Sequence, residues 1–213
     1  MERPGRPRLT GERIVEAAIE LIGEHGLEKF SMPKLAAILN VRTSSLYRYF
    51  ADRESLLAAV ARVVITVDEA PALPPPGAQW TEFLILQSID LRRRILRYPN
   101  CAPLIIQFAP EDGVFDQYEL LCQYLAATGV PAAYHVRIVD ALTALTIGSA
   151  VLDESAADYT PQGVGPTPDA ARYPAMTQAL TAIGDDSADD LFAGFLRTYL
   201  QAILAEIAAD TGA

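Results

Sequence analysis

Cysteine and histidine are scarce in this chain: its 213 residues include two of each. Cys101 and Cys122 cannot build a disulfide framework and are not spaced as zinc ligands, so they read as two reduced, buried thiols. Neither His25 nor His135 has a Glu three residues before it, which excludes the Glu-x-x-His pairs of a di-iron bundle. There is no phosphate-cradling Gly-rich loop, no nucleophile elbow and no Gly-rich dinucleotide turn. These absences argue against an enzyme and predict no catalytic residue, no cofactor and no metal. Long hydrophobic runs are missing as well. The two longest, Leu56–Val67 (broken by Arg62) and Ala141–Leu152, fall short of the roughly 18 residues that span a bilayer. The opening Met1-Glu2-Arg3-Pro4-Gly5-Arg6 carries no apolar core, so no signal peptide is read and the expectation is a soluble, cytoplasmic protein without a membrane partner.

Strand patterns are scarce too, and helical periodicity dominates. Ile14, Ala17, Ala18, Leu21 and Ile22 form one apolar stripe, with Glu12, Glu16, Glu20 and Glu24 on another face. Gly26 fits a C-terminal cap. A short helix follows, with Ser31 as its N-cap, Pro33 in the first turn, and Leu35, Ala36 and Leu39 inward. Asn40 suits a left-handed turn. A third short helix takes Arg42 to Phe50, and Asp52 caps a fourth running to about Val67. The run Pro71-Ala72-Leu73-Pro74-Pro75-Pro76-Gly77 cannot be helix and reads as a linker. Further helices are expected at about 79–98, 101–108, 113–128, 132–154, 169–183 and 187–209, with a long loop at 155–168.

Charge divides unevenly along the chain. The net −10 resolves into ten basic and eight acidic residues over 1–65, against seven and nineteen over 66–213. A mildly basic head on an acidic body suggests an anionic partner at the N-terminus, although a split of this size also arises by chance.

Three short helices in about 50 residues, with a tight turn between the second and third, make a helix-turn-helix. In the third, Leu46 and Phe50 are four apart and anchor it. Thr43, Ser44, Ser45, Tyr47, Arg48 and Tyr49 are left for the surface. Arg48 suits bidentate pairing with guanine, and Thr43 and Ser44 suit base edges or a thymine methyl. Tyr47 and Tyr49 suit phosphates, unless they are core aromatics. The helix starts near Ser31 and Asp52 offer backbone N–H groups to phosphates. The arm Arg3-Pro4-Gly5-Arg6-Pro7-Arg8 is either a minor-groove reader or a disordered tail acting by charge alone.

The stretch from Ile14 to Leu57 resembles the DNA-binding domain of TetR-type repressors. The resemblance rests on Ala17-Ala18, Leu21, Gly26, Ser31, Lys34-Leu35-Ala36 and Val41. It is strengthened by Ser45-Leu46-Tyr47-Arg48-Tyr49-Phe50 and Arg53-Glu54-Ser55-Leu56-Leu57. It implies DNA contacts from Thr43, Ser44, Ser45, Tyr47 and Tyr49, and a phosphate contact from Arg53. With Arg3, Arg6, Arg8, Ser31, Lys34, Arg42 and Arg48 these make the expected DNA-binding set. Two departures stand out: Asn40 replaces the usual turn Gly, and Pro33 stands where relatives often carry a base-contacting side chain.

Farther along, Leu91-Arg92-Arg93-Arg94-Ile95-Leu96-Arg97-Tyr98 and the Gly148-to-Glu154 run resemble the body of the tetracycline-repressor branch. The resemblance implies a small-molecule pocket at Gln87, Leu91, Ile105, Phe108, Gln117, Tyr118, Leu121, Val136, Val139, Asp140 and Thr143. That branch's magnesium–tetracycline site has a His where Ile105 stands, a Thr at Phe108 and a Gln at Leu121, with Asp153 matching a carboxylate. Without the His, the expected inducer is more apolar and metal-free, oriented by Gln87 and Asp140. A carboxylate such as Asp140 in an apolar helix meets either a cationic ligand or an arginine such as Arg137. His135 reads as a surface residue or a satisfied hydrogen bonder.

The resemblance also implies a homodimer joined through the eighth and tenth helices, at Ala141, Leu145, Gly148, Leu152, Phe195, Tyr199 and Ile203. The residues agree in part. Ala141–Leu152 is apolar nearly all round, and Leu191, Phe195, Tyr199, Ile203 and Ile207 make a stripe, though either is also compatible with ordinary core. The expectation is therefore all-α: a three-helix helix-turn-helix domain over 1–67, joined to a larger helical ligand-binding and dimerisation domain over 68–213, about ten helices together. The function expected is a repressor that binds a palindromic double-stranded operator as a dimer and is released by a small-molecule inducer. The alternative is a helix-turn-helix assembly protein or activator without a ligand.

Overall fold

The computed structural model describes residues 8–66, 73–77, 79–108, 114–154, 169–183 and 187–211. The expected loop at 155–168 lies outside them, as do Arg3 and Arg6. Among these described residues ten α-helices run in order: α1 (Gly11–His25), α2 (Met32–Ile38), α3 (Thr43–Leu46), α4 (Arg53–Ile65), α5 (Trp80–Leu96), α6 (Ala102–Gln107), α7 (Val114–Ala127), α8 (Ala132–Glu154), α9 (Pro174–Ile183) and α10 (Ala188–Thr211). No strand occurs among the described residues.

The chain divides into two compact units. One is residues 1–66 together with 97–110, and the other is 67–96 with 111–213. The first unit thus takes in α6, which a simple cut near residue 67 leaves in the second. The reason is packing: Ala102, Leu104 and Ile105 are buried, and α6 lies against α4. Asn100, in the left-handed region at φ 61°, donates from Nδ2 to the Gly23 carbonyl at 2.9 Å.

Within the first unit, α1 buries Ile14, Val15, Ala17, Ala18, Leu21 and Ile22, while Glu12, Glu16, Glu20 and Glu24 face water. Gly26 ends α1 at φ 78°, its N–H donating to the Ile22 carbonyl. Local chemistry sets the next starts. Ser31 Oγ accepts from Lys34 N at 3.4 Å and opens α2. Asn40 makes the turn at φ 54°. Asp52 and Ser55 exchange hydrogen bonds in a capping box that opens α4. Leu56, Leu57, Val60, Ala61 and Val64 then close the core from α4.

The second unit is built on α5, α7, α8 and α10. Its core joins Trp80, Leu84 and Ile85 of α5, Tyr124 and Leu125 of α7, Ile138 and Leu142 of α8, and Phe192, Leu196, Leu200 and Ile203 of α10. Buried Ser88 and Thr146 are satisfied inside their own helices: Ser88 donates to the Leu84 carbonyl and Thr146 to that of Leu142. His135 is buried, one ring nitrogen 2.7 Å from the Val130 carbonyl, so it is a satisfied hydrogen bonder and not a surface residue. Cys101 is buried, whereas Cys122 is only half-buried, and neither is in a disulfide.

Three expected boundaries move, each for a backbone reason. The helix expected to reach Tyr98 stops at Leu96, because Pro99 disfavours helical backbone in the residue before it. The helix expected from 169 begins at Pro174, a residue pre-set for the first helical position. Ahead of it, Asp169 Oδ1 accepts from Ala171 N in a turn. The third helix is a single turn, Thr43–Leu46, continued to Phe50 by turn bonds onto the Leu46 carbonyl.

Candidate nucleic-acid interface

In the helix-turn-helix, Leu46 is fully buried and fixes α3 by its inner side. Phe50 is half-buried. The remaining positions open outward. Ser44, Tyr47, Arg48 and Tyr49 are exposed, with Tyr47 at 49% of its full surface, and Thr43 and Ser45 are half-exposed. A phenol this open is not a core aromatic, which removes the alternative reading of Tyr47. Arg8, Lys34, Arg42 and Arg53 are exposed as well.

Some of these groups are already engaged. Lys34 Nζ donates to the Lys29 carbonyl at 2.8 Å, and the Arg53 guanidinium lies 5.6 Å from the Phe30 ring centroid. Ser31 is committed as the α2 cap. Tyr49 Oη donates to the Leu9 carbonyl at 2.5 Å, a contact that residue spacing gives no hint of. Exposed Ile38, one turn along α2 from Lys34, was not singled out by the sequence reading.

The residues expected to form a pocket do not all share one unit. Ile105 is buried and Phe108 half-buried in the first unit; the other nine belong to the second. There, Gln87 and Leu91 are half-buried on α5, Tyr118 and Leu121 half-buried on α7, and Val139 buried on α8, while Gln117, Val136 and Asp140 are exposed. One polar group does assemble. Tyr118 Oη donates to Asp140 Oδ1 at 2.7 Å. Burial, then the bond to Asp140, raises the Tyr118 pKa above its ordinary value of 10.0. Asp140 is therefore partnered by Tyr118. Of the two alternatives for Asp140, the pairing with Arg137 is not formed, and Arg137 reaches Glu206 at 3.0 Å instead.

The donor set does not fit a divalent cation. Ile105 offers no ligand atom, and Asp153 is held by the buried guanidinium of Arg92. Among the described residues no group of three or more His, Cys, Asp or Glu side chains gathers to hold one. Arg92 also donates to Ser149 Oγ at 3.0 Å and Asp189 Oδ1 at 2.5 Å, joining α5, the end of α8 and the start of α10. Burial lowers the Arg92 pKa and the Asp189 charge opposes that shift. The sequence reading missed this cluster, since its three helices are far apart along the chain.

The expected dimer set also splits. Leu145, Leu152 and Phe195 are exposed, the last two at 68% and 66%, and Ala141, Gly148 and Tyr199 are half-exposed. Ile203, at 1% exposure, lies inside the core of its own unit and offers no surface to a partner. By length and composition alone, α8 and α10 are apolar enough to cross a bilayer, yet only 33% and 28% of those windows are buried within the chain.

Comparison with known proteins extends these observations. Residues 14–60 match the bacterial regulatory proteins of the tetR family. Residues 73–207 match the tetracyclin repressor-like C-terminal domain. Tetracycline repressor protein class D of Escherichia coli is 25% identical over 202 residues, covering 95% of this chain and 92% of its own. The HTH-type transcriptional repressor DrrR1 of Streptomyces coeruleorubidus is 42% identical over 73 residues, covering 33% of this chain and 27% of its own. The solved structure of apo ActR from Streptomyces coelicolor matches with a TM-score of 0.73 at 25% identity, over 95% of this chain and 98% of that one.

Proposed function

This chain belongs to the TetR family of bacterial regulatory proteins, and from that premise we propose that it is a repressor that grips a palindromic operator as a homodimer and lets go when a small molecule occupies its body. The observation that carries the reading is the open edge of the helix-turn-helix. Leu46 is buried while Ser44, Tyr47 and Arg48 are presented outward. Such an edge suits a major groove: Arg48 pairs with guanine O6 and N7, Thr43 and Ser44 meet base edges, and Tyr47 and Arg53 hold phosphates.

Dimerisation is favoured by α8 and α10. A helix apolar on several faces needs more cover than its own core supplies, and Leu145, Leu152 and Phe195 are left outward. A two-fold copy buries them and sets two heads for two half-sites. The body's small-molecule site is read at Gln87, Leu91, Tyr118, Leu121, Asp140 and Thr143, where apolar wall meets a short polar ladder. The bound molecule is more apolar than a metal chelate. Coupling runs through α4 and α6, since the chain passes from α5 into α6 with only Arg97–Cys101 between. A preference of about 1–3 kcal/mol for one head spacing is sufficient for release. The chain acts in the cytoplasm, where operator DNA lies, and no step calls for catalysis.

Footprinting of the DNA upstream of the protein's own coding region tests this. Two protected half-sites are expected, with centres about 10 base pairs or a multiple apart, and a small-molecule screen on the same fragment then seeks release. Protection without dyad symmetry at every fragment tried contradicts the operator reading.

A further inference from the structure

Tyr49 sits at the end of the recognition segment, where position alone suggests a contact to DNA. Its hydroxyl is used otherwise. It donates to the Leu9 carbonyl at 2.5 Å, forty residues back along the chain. Leu9 lies just outside α1: Thr10 is the N-cap, and the first helical bond runs from Ile14 N to the Thr10 carbonyl. The Leu9 carbonyl therefore lies beyond the helix ladder and is open to an outside donor. The neighbouring ring reinforces the contact, since a Cβ placed on Gly11 would come 4.0 Å from Phe50 Cζ. Tyr49 and Phe50 together fasten the start of α1 to the end of the recognition segment.

A phenol has one proton to donate, and phosphate oxygens only accept. While Tyr49 donates to Leu9 it has nothing to give a phosphate. The residue just before Leu9 is the exposed Arg8. We propose that Tyr49 is a positioning residue for Arg8: its hydroxyl fixes where the chain enters α1, so that the Arg8 guanidinium is delivered to the DNA backbone beside the recognition helix. This rests on the operator-binding reading above and assigns Tyr49 a role inside it.

The test is a double-mutant cycle by fluorescence anisotropy on a duplex carrying the footprinted half-sites, across a salt series. The four full-length proteins are wild type, Tyr49→Phe, Arg8→Ala and the combination. Tyr49→Phe is expected to weaken binding about threefold to tenfold, the worth of one hydrogen bond, and to flatten the salt dependence, because Arg8 then displaces fewer counterions. In the Arg8→Ala background the same change is expected to cost less than about twofold. An equal loss in both backgrounds with an unchanged salt slope overturns the proposal, since a neutral hydroxyl on a phosphate, or a general weakening of the head, behaves that way. No loss in either background overturns it too. Absence of any preference for the half-sites in wild type instead removes the operator reading on which it stands.

Discussion

Arg92 Nη1 donates to Asp189 Oδ1 at 2.5 Å, linking the C-terminal part of the body's first helix to the start of its last. The same guanidinium holds Asp153, whose negative charge in the last turn of α8 opposes that helix's dipole. Asp189, in the first turn of α10, is placed favourably by the same reasoning. Arg92 is buried while its two carboxylates keep some contact with water. Replacing Arg92 with Met leaves Asp153 without its cation and Asp189 with Arg93 alone, whose Nε donates to Asp189 Oδ2 at 2.6 Å. The expected loss is about 3–4 kcal/mol, the lower part of the range for a broken buried pair, read by urea denaturation of the full chain. A loss under about 0.5 kcal/mol would mean that this cluster is dispensable.

Phe195 and Ile203 lie on the same helix but face different surroundings, and their substitutions separate assembly from folding. Phe195→Glu puts a charge on an exposed apolar face. It is expected to yield a folded monomer in analytical ultracentrifugation, with thermal stability lowered only by loss of the partner. Ile203→Ala empties a core position and is expected to cost about 2–5 kcal/mol in unfolding. A dimer that survives Phe195→Glu unchanged places the interface elsewhere.

Asp52 gives the head an acid-sensitive fastening. Its pKa is lowered from 3.8, chiefly by the hydrogen bond from the Ser55 backbone and then by the Ser55 side chain. A lowered carboxylate pKa stabilises the fold above the unfolded value, and that contribution disappears as pH falls through the folded one. Wild-type stability should therefore decline below pH 3.8 more steeply than that of Asp52→Asn, which keeps an acceptor for Ser55 but does not titrate. Circular dichroism melts across the acid range check this. Parallel pH profiles for the two proteins would discount the cap.

The head was legible because its signals are local. A single apolar stripe fixes α1, and Ser31, Asn40 and Asp52 mark their own turns and starts. The body was harder, since α10 carries apolar residues on two faces. A stripe through Leu191, Phe195, Tyr199 and Ile207 is as regular as the true core line through Phe192, Leu196 and Leu200, and periodicity does not choose between them. Ile203 falls in both. The place of α6 with the first unit depends on packing against α4, and the Arg92 cluster on three distant helices meeting. The Tyr49–Leu9 bond joins residues forty apart, beyond the reach of any spacing rule. What the sequence carried into the body was family likeness, which located the pocket candidates without revealing that Ile105 and Phe108 pack with the head.

The central claim is that the open edge of the Thr43–Phe50 segment reads DNA sequence. Anisotropy titrations of wild type and Arg48→Ala, on upstream DNA and on unrelated DNA over a salt series, test it most directly. The account predicts tight, salt-steep binding of wild type to the upstream site. Arg48→Ala should cut that binding tenfold or more, the worth of one bidentate base contact, with little change on unrelated DNA and in thermal stability. Equal, weak binding of both proteins to every duplex would contradict it.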